Sequence, residues 1–172
     1  AFVLTVFTFS MCNEKKSTTA FIKPPIPGLD PGYTSFTFDN TRADTLVAPS
    51  GTKICIPANA FVDSLGNPVK KNITVKYREF NNGVDIFRAG IPMEFKSMGK
   101  TSYLQTAGMF EIRAFHENST LYLNDKPVEI NYASFQNGND YSFFSFDENA
   151  GEWKFVNYPE SGPNPEREKL EN

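Results

Sequence analysis

With 172 residues, 40% of them hydrophobic, the chain can bury one ordinary core, which leaves no room for a second full domain. The net charge is −3 and the Lys and Arg residues are scattered along the chain, so the sequence lacks the basic patch of a nucleic-acid binder and we exclude nucleic acid as a partner. The 17 Phe and 7 Tyr residues lie in short alternating runs, which favours strands over helices.

The chain opens with apolar or hydroxylic residues, AFVLTVFTFSM, that carry no charge. This run is shorter than the roughly 20 residues that a helix needs to span a bilayer, but it has the length of the apolar centre of a signal peptide. No positive flank precedes it and the first residue is Ala1 rather than Met, so we expect the sequence to begin inside a longer open reading frame. The alternative is that residues 1–11 form a strand of the domain.

Cys12 follows this run directly, and the polar stretch NEKKSTT comes next. This order resembles a bacterial lipoprotein signal, in which a peptidase cuts before a cysteine whose thiol carries diacylglycerol, although Met11 replaces the small residue that usually precedes the cut. The resemblance implies lipidation of Cys12 and a protein anchored in the bacterial cell envelope, at the outer membrane or the cell surface. A disulfide with Cys55 is not expected, because Cys55 alternates inside a predicted strand.

Residues 13–32 contain four prolines in a polar stretch, a composition typical of an extended tether. From residue 33 to residue 158, β-rich runs alternate with turn clusters, which predicts an all-β, antiparallel β-sandwich with little or no helix. The tail, residues 159–172, is polar and rich in proline, and we expect it to link to a further C-terminal region. The predicted strands cover residues 33–38, 45–49, 52–57, 73–80, 91–97, 102–115, 120–123, 127–133, 141–147 and 152–158.

Alternation assigns the faces of these strands, because successive side chains point to opposite sides. It places Cys55 away from the core. The side chains predicted to face the core are Ile54, Ile56, Ile73, Val75, Tyr77, Phe110, Ile112 and Ala114. Gly, Asn and Asp favour tight turns, and the segments predicted as hairpin-type connections are DSLGNP, NNG, HENS, NDK, NGND and ENAG.

Residues with catalytic potential are few. His116 is the single histidine, and we interpret it as a solvated turn residue. Two carboxylates can act as acid and base when they lie about 5 to 10 Å apart, and the candidate pairs are Glu79 with Asp85 and Glu94 with Glu111. Oxygen-bearing loop residues are better explained as turn formers than as calcium ligands; these are Asp30, Asp39, Asp63, Asn67 and Asp140. We predict no enzyme, no metal and no cofactor.

Two short patterns, DTL (44–46) and DSL (63–65), resemble the O-glycosylation acceptor sequence of exported Bacteroidota proteins. The acceptors that this likeness implies are Thr45 and Ser64. A glycan-binding surface would instead need exposed aromatic rings as stacking platforms. The candidates for stacking are Tyr103, Tyr122, Tyr141 and Trp153, and the alternative is that these rings fill the core or pair across strands.

The block APSGTKICIPANAFVDSLGNPVKKNITVKYREF (48–80) resembles the opening of ZU5-type domains, in which a Gly-led strand runs into an IPxxAF step. The likeness rests on Gly51, Ile56, Pro57, Ala60 and Phe61. Residues 33–158 also resemble a family of exported Bacteroidota lipoproteins, a likeness that supplies no activity. The ZU5 resemblance implies a β-sandwich interaction module. Some ZU5 relatives cleave themselves at a His-Phe-Ser site, but Phe144 and Ser145 follow no histidine here, so self-cleavage is not expected.

Together these patterns lead to the hypothesis of a membrane-anchored, non-enzymatic binding or scaffolding module whose partner is an envelope protein or a glycan. One rival hypothesis is an envelope hydrolase that uses a carboxylate pair. The other is a structural spacer domain that precedes a larger module.

Overall fold

The computed structural model describes residues 21–134, 136, 141–163 and 169. In the described chain the regular structure consists of strands and one helix, α1, at Gly83–Ala89. The strands are β1 (Thr34–Asp39), β2 (Asp44–Val47), β3 (Lys53–Ile56), β4 (Phe61–Val62), β5 (Asn72–Phe80), β6 (Glu94–Ser97), β7 (Lys100–Tyr103), β8 (Met109–His116), β9 (Ser119–Leu123), β10 (Glu129–Asn131), β11 (Phe143–Asp147) and β12 (Glu152–Asn157).

Two sheets make the body of the fold. The larger has the strand order β1-β5-β8-β9-β4 and the smaller has the order β10-β3-β2, while β6–β7 and β11–β12 are separate hairpins. Every pair of named strands is antiparallel. The predicted all-β, sandwich-like antiparallel fold is thereby confirmed.

The main core lies between the two sheets. Ile54 and Ile56 of β3 and Ile73, Val75 and Tyr77 of β5 are almost completely buried in it. Phe110, Ile112 and Ala114 of β8 also belong to this core or pack against it, and Cys55 is only half-buried. The inner faces predicted from alternation are therefore confirmed. Apolar burial of this kind contributes most of the stability of such a domain, at roughly 25 cal/mol per Å².

A second, smaller core forms on the outer face of the larger sheet, where α1 packs Ile86 and Ala89 against Phe80. The helix begins because the Asn82 side chain accepts hydrogen bonds from two backbone N–H groups of the first turn. It ends at Gly90, whose φ of +68° lies in the left-handed region. The prediction of a hairpin turn at NNG (81–83) was wrong, because Asn82 caps a helix there.

Residues 21–32, which we call the strap, lie against the domain without forming a strand or a helix. The Lys23 N–H donates to the Gly90 carbonyl at 3.2 Å, and a side chain at Gly90 would collide with the Lys23 backbone. The Phe21 ring lies against Gly151 in the β11–β12 turn. Contacts with the sheets thus begin well before residue 33, inside the stretch that composition assigns to a tether.

Some predicted strands have different bounds. The run 102–115 is divided between β7 and β8, with residues 104–108 as the connection, and the run 127–133 contributes only β10. The segment NDK (124–126) was wrongly predicted as a hairpin turn, because it connects strands of different sheets. HENS and ENAG are hairpin turns as predicted. The segments 1–20 and 137–140, with NGND, lie outside the described residues.

Candidate functional site

The residues of the IPxxAF step hold the chain as it leaves the smaller sheet. Gly51 has a φ of +90° in the turn before β3, a conformation that favours glycine. Ile56, Ala60 and Phe61 are buried. Pro57 follows β3 directly, and proline cannot donate a hydrogen bond to a sheet. These five residues therefore have a structural role in turning the chain from β3 towards β4.

Asn40, which the sequence analysis did not single out, stabilises the IPxxAF step through hydrogen bonds made in the interior of the domain. It is completely buried, and its Nδ2 donates to the carbonyl oxygens of Phe61 at 2.9 Å and Val69 at 2.8 Å. Its Oδ1 accepts from the Phe61 N–H at 3.2 Å. One amide side chain thus binds the buried backbone groups of Phe61, at the start of β4, and of Val69, in the connection that follows. Burial alone reveals this role, because the sequence around Asn40 is ordinary turn sequence.

Glu79 is the centre of a polar cluster between the two sheets. Its Oε1 accepts from the hydroxyl groups of Ser50 at 2.6 Å, Thr52 at 2.7 Å and Tyr77 at 2.7 Å. Thr52 also accepts from the Ala133 N–H at 3.0 Å. Burial raises the pKa of the Tyr77 phenol, so it donates as a neutral group. This bonding saturates Glu79 Oε1 and explains the carboxylate as a clamp between sheets.

Arg78 joins the strap to the larger sheet. Its guanidinium is almost completely buried and binds Asp30 at 2.7 Å, Glu111 at 2.6 Å and the Pro31 carbonyl at 3.0 Å. It also lies 4.3 Å from the centre of the Tyr33 ring, within cation–π range. The hydrogen bond from Arg78 lowers the pKa of Asp30.

Glu111 has a second cationic partner in Arg113, which also binds Glu148 at 2.6 Å. Burial raises the pKa of Glu111, but the charges of Arg113 and Arg78 outweigh it and the net shift is downward. Glu111 is thus held as a carboxylate in an ion network. A general acid needs a raised pKa instead.

The other candidate acid–base groups also have structural partners. Asp85 bonds with the capping Asn82, and Glu94 pairs with Lys96 at 3.1 Å. His116 Nδ1 lies 3.1 Å from the Asn72 carbonyl. Each member of the two predicted carboxylate pairs thus has a hydrogen-bond or ion-pair partner of its own.

The aspartates predicted as turn formers divide into two groups. Asp39 accepts from the Thr41 N–H at 2.9 Å, and Asp63 accepts from the N–H groups of Leu65 and Asn67, so both are turn formers as predicted. Asp30 is instead the ion-pair partner of Arg78. Asp140 lies outside the described residues. Within the described part of the chain, no group of three or more His, Cys, Asp and Glu side chains is arranged to hold a metal ion.

The four predicted stacking residues do not form one platform. Trp153 packs 5.1 Å from Phe146 across the β11–β12 hairpin, and its Nε1 donates to the Pro92 carbonyl at 2.6 Å, so its role is structural. Tyr103, Tyr122 and Tyr141 are exposed on three different segments. Of these, Tyr122 borders a concave surface.

That surface is an apolar cleft of about 250 Å³ between strand β9 of the larger sheet and β10 of the smaller one. Its walls include Ile112, Leu121, Val128 and Ile130, and Phe61 of the IPxxAF step contributes to the lining. Tyr122 and Leu123 lie at the cleft and are about half exposed. The sequence places these residues on separate strands, so only the packing of the sheets brings them together.

A wider, shallower depression of about 610 Å³ covers the outer face of the smaller sheet. Thr45, Cys55 and Glu129 occur opposite one another on its three strands, with Pro57 at the rim. Thr45 is exposed and its hydroxyl lies 3.9 Å from the free thiol of Cys55. Ser64 is exposed in the turn that Asp63 organises.

Cys12 lies outside the described residues. In the part of the chain that the structure describes, no helix has the length and apolar character for crossing a bilayer. Comparison with protein-family models, with curated proteins and with solved structures found no match. The geometry of the fold and the pattern of the sequence are therefore the basis for assigning a role.

Proposed function

We propose that this protein is a non-enzymatic binding module of the bacterial cell envelope, anchored to the membrane through Cys12 and taking a protein partner at the cleft between β9 and β10. The single observation that carries the binding role is this apolar cleft with its exposed rim. Concave, largely apolar surfaces with a few polar groups are the usual form of binding sites.

The size and lining of the cleft favour an apolar side chain as its occupant. A cavity of about 150 Å³ is enough to hold benzene, so a cleft of about 250 Å³ can take a large aliphatic or aromatic side chain. The walls are mainly aliphatic and present no stacked aromatic platform, which favours a protein over a glycan. At the rim, Tyr122 offers an exposed ring of the kind that is enriched at protein interfaces.

The bonding of the carboxylates supports a binding role over the rival hydrolase. Glu79 accepts hydrogen bonds from three hydroxyl groups, and Glu111 forms ion pairs with two guanidinium groups. Both carboxylates therefore hold elements of the fold together. A hydrolase would need one of these acids to be protonated and directed into a cleft.

Site-specific photo-cross-linking tests the binding role. A photoreactive benzoylphenylalanine replaces Tyr122 at the cleft or Leu65, an exposed residue of the turn that follows β4, in the full-length gene expressed in its bacterial host. We expect a discrete cross-linked protein from position 122 that is absent from position 65 and is lost when Leu123→Glu is added. Equal products from both positions would rule out the cleft as the binding site.

The anchor is tested separately by intact mass of the membrane fraction, with Cys12→Ala and a signal-peptidase inhibitor as controls. A diacylglyceryl increment that Cys12→Ala removes is the expected result. An unmodified protein that stays outside the membrane fraction would contradict the anchor while leaving the cleft open to test.

A further inference from the structure

The strap and α1 lie on the same side of the domain, and we propose that this side rests on the surface of a lipid bilayer. The proposal depends on the anchoring role of Cys12 and specifies the orientation that the anchor imposes. We call the strap, residues 21–32, together with the exposed face of α1 the membrane-facing side.

The chain between the anchor and the domain is short. Nine peptide steps separate Cys12 from Phe21, and a fully extended chain spans at most about 3.3–3.6 Å per residue, or about 30 Å in all. A domain of about 100 residues has a radius of gyration of about 13 Å, so the tether is no longer than the domain is wide. The side where the chain leaves the domain must therefore stay close to the bilayer.

The strap fixes which side that is, because it is attached at three separate points. Phe21 packs on Gly151, Lys23 bonds to the Gly90 carbonyl, and Asp30 pairs with the buried Arg78. A strap joined at one point could swing across the domain. With three attachments, the point of exit is set next to the β11–β12 turn and the end of α1.

Apolar side chains are exposed on this same side. Val84 and Phe87 are three residues apart on α1, so they share one face of the helix, and both are about two-thirds exposed. Phe87 lies less than one helical turn from Gly90, where the strap touches the helix. The strap itself exposes Phe21, Ile26 and Leu29. Exposed apolar groups of this kind enter the boundary between headgroups and acyl chains when a surface lies flat on a bilayer.

The charges of the connecting chain suit an anionic lipid surface. Between Cys12 and the helix contact, Lys15, Lys16 and Lys23 outnumber the single Glu14. Basic residues next to an anchor are attracted to anionic headgroups within about a Debye length, about 8 Å at physiological salt. Apolar contact and charge therefore act in the same direction.

Tryptophan quenching by brominated lipid tests this orientation. In the full chain, Trp153→Phe and Cys55→Ser leave one reactive thiol and no tryptophan, and Phe87→Trp or the matched control Leu65→Trp then introduces the probe. Both probe positions are exposed, Phe87 at 66% and Leu65 at 83%. Leu65 lies in the turn before the start of β5, whereas Phe87 lies in α1, which follows the end of β5. Cys12 is coupled to maleimide-phosphatidylethanolamine in vesicles of phosphatidylcholine and phosphatidylglycerol, with and without brominated acyl chains.

We expect quenching of at least about twofold at position 87 and none at position 65, because an interfacial apolar face enters the bilayer by about 5–10 Å. Val84→Trp gives a second probe on the same face. The double substitution Phe21→Ser and Asp30→Asn removes two of the three attachments of the strap. In that background the difference in quenching between positions 87 and 65 should disappear while the protein stays on the vesicles. Equal quenching at positions 87 and 65, or no quenching at either position, would overturn the proposal.

Chemical coupling makes this test independent of lipidation in the cell. If Cys12 carries no diacylglycerol in cells but position 87 is quenched, the anchoring role fails and the lipid-binding surface remains. If Cys12 is lipidated and position 87 is not quenched, the anchor remains and the proposed orientation fails.

Discussion

Replacing Asn40 with Ala removes three side-chain hydrogen bonds from the interior of the domain. The amide donates to the Phe61 and Val69 carbonyl oxygens and accepts from the Phe61 N–H. Each such bond contributes about 1 kcal/mol net, and a buried group left without a partner adds a desolvation penalty of about 1–3 kcal/mol. We therefore expect the free energy of unfolding to fall by about 3–5 kcal/mol, a large share of the roughly 5–15 kcal/mol typical of a domain.

Urea unfolding followed by circular dichroism measures this loss. The midpoint should fall while the slope stays constant, since the surface exposed on unfolding does not change. Asn67→Ala is the matched control, because Asn67 is exposed and its amide makes one bond, to Asp63 at 3.2 Å. We expect the control to change stability by about 0.5 kcal/mol or less. A loss below about 1 kcal/mol for Asn40→Ala would refute the role of Asn40 as the support of the IPxxAF step.

The isosteric Asn40→Asp variant adds a pH dependence to the same test. The new carboxyl still accepts from the Phe61 N–H, but as a carboxylate it faces two carbonyl oxygens. Burial and these oxygens raise its pKa in the folded state. The variant is then most stable below the unfolded carboxyl pKa of about 3.9, and it loses stability as pH rises through the raised folded pKa. Stability curves that run parallel to those of the unmodified protein between pH 3 and pH 8 would contradict this reasoning.

Glu79→Ala leaves three hydroxyl groups without their shared acceptor, so we expect a loss of about 2–4 kcal/mol in urea unfolding, and a loss below about 1 kcal/mol would contradict the clamp. Hydrogen bonding to Arg78 lowers the pKa of Asp30. The strap contact should therefore be complete above the unfolded carboxyl pKa of about 3.9 and should be lost as pH falls through the lower folded pKa. Carboxyl chemical shifts measure that titration. Gly90→Ala places a Cβ against the Lys23 backbone, so the Lys23 N–H should exchange at least about tenfold faster with solvent, whereas Gly99→Ala, at a φ of +74° in open space, should leave it unchanged.

Alternation predicted the inner face of β5 because this face of the larger sheet packs against the smaller sheet. It failed on the outer face, where Arg78 and Phe80 are also buried. Alternation assumes that the other face of an antiparallel strand meets water. Here α1 covers Phe80 and the strap covers Arg78, and neither element can be recognised from the strand itself.

The sequence around α1 contains helix-capping residues, but it also contains a stronger signal for a hairpin turn. Asn82 is a good N-cap, Asp85 and Arg88 suit the first and last turns, and Gly90 is a typical end. However, Asn-Gly at residues 82–83 is also the commonest hairpin signal. A helix of seven residues shows too little periodicity to decide between the two.

The candidate sites were harder to predict than the sheets, because each depends on contacts between distant segments. The cleft brings together Phe61, Ile112 and Ile130, which belong to three strands in two sheets. One of the three attachments of the strap is made by a buried guanidinium: burying Arg78 without partners would cost several kcal/mol, and its ion pairs with Asp30 and Glu111 offset that cost. Arg78 is therefore best explained together with the strap. Without residues 21–32 Arg78 would lose the Asp30 carboxylate and keep that of Glu111, so the burial of this charge in a strand favours the position that the strap takes in the structure.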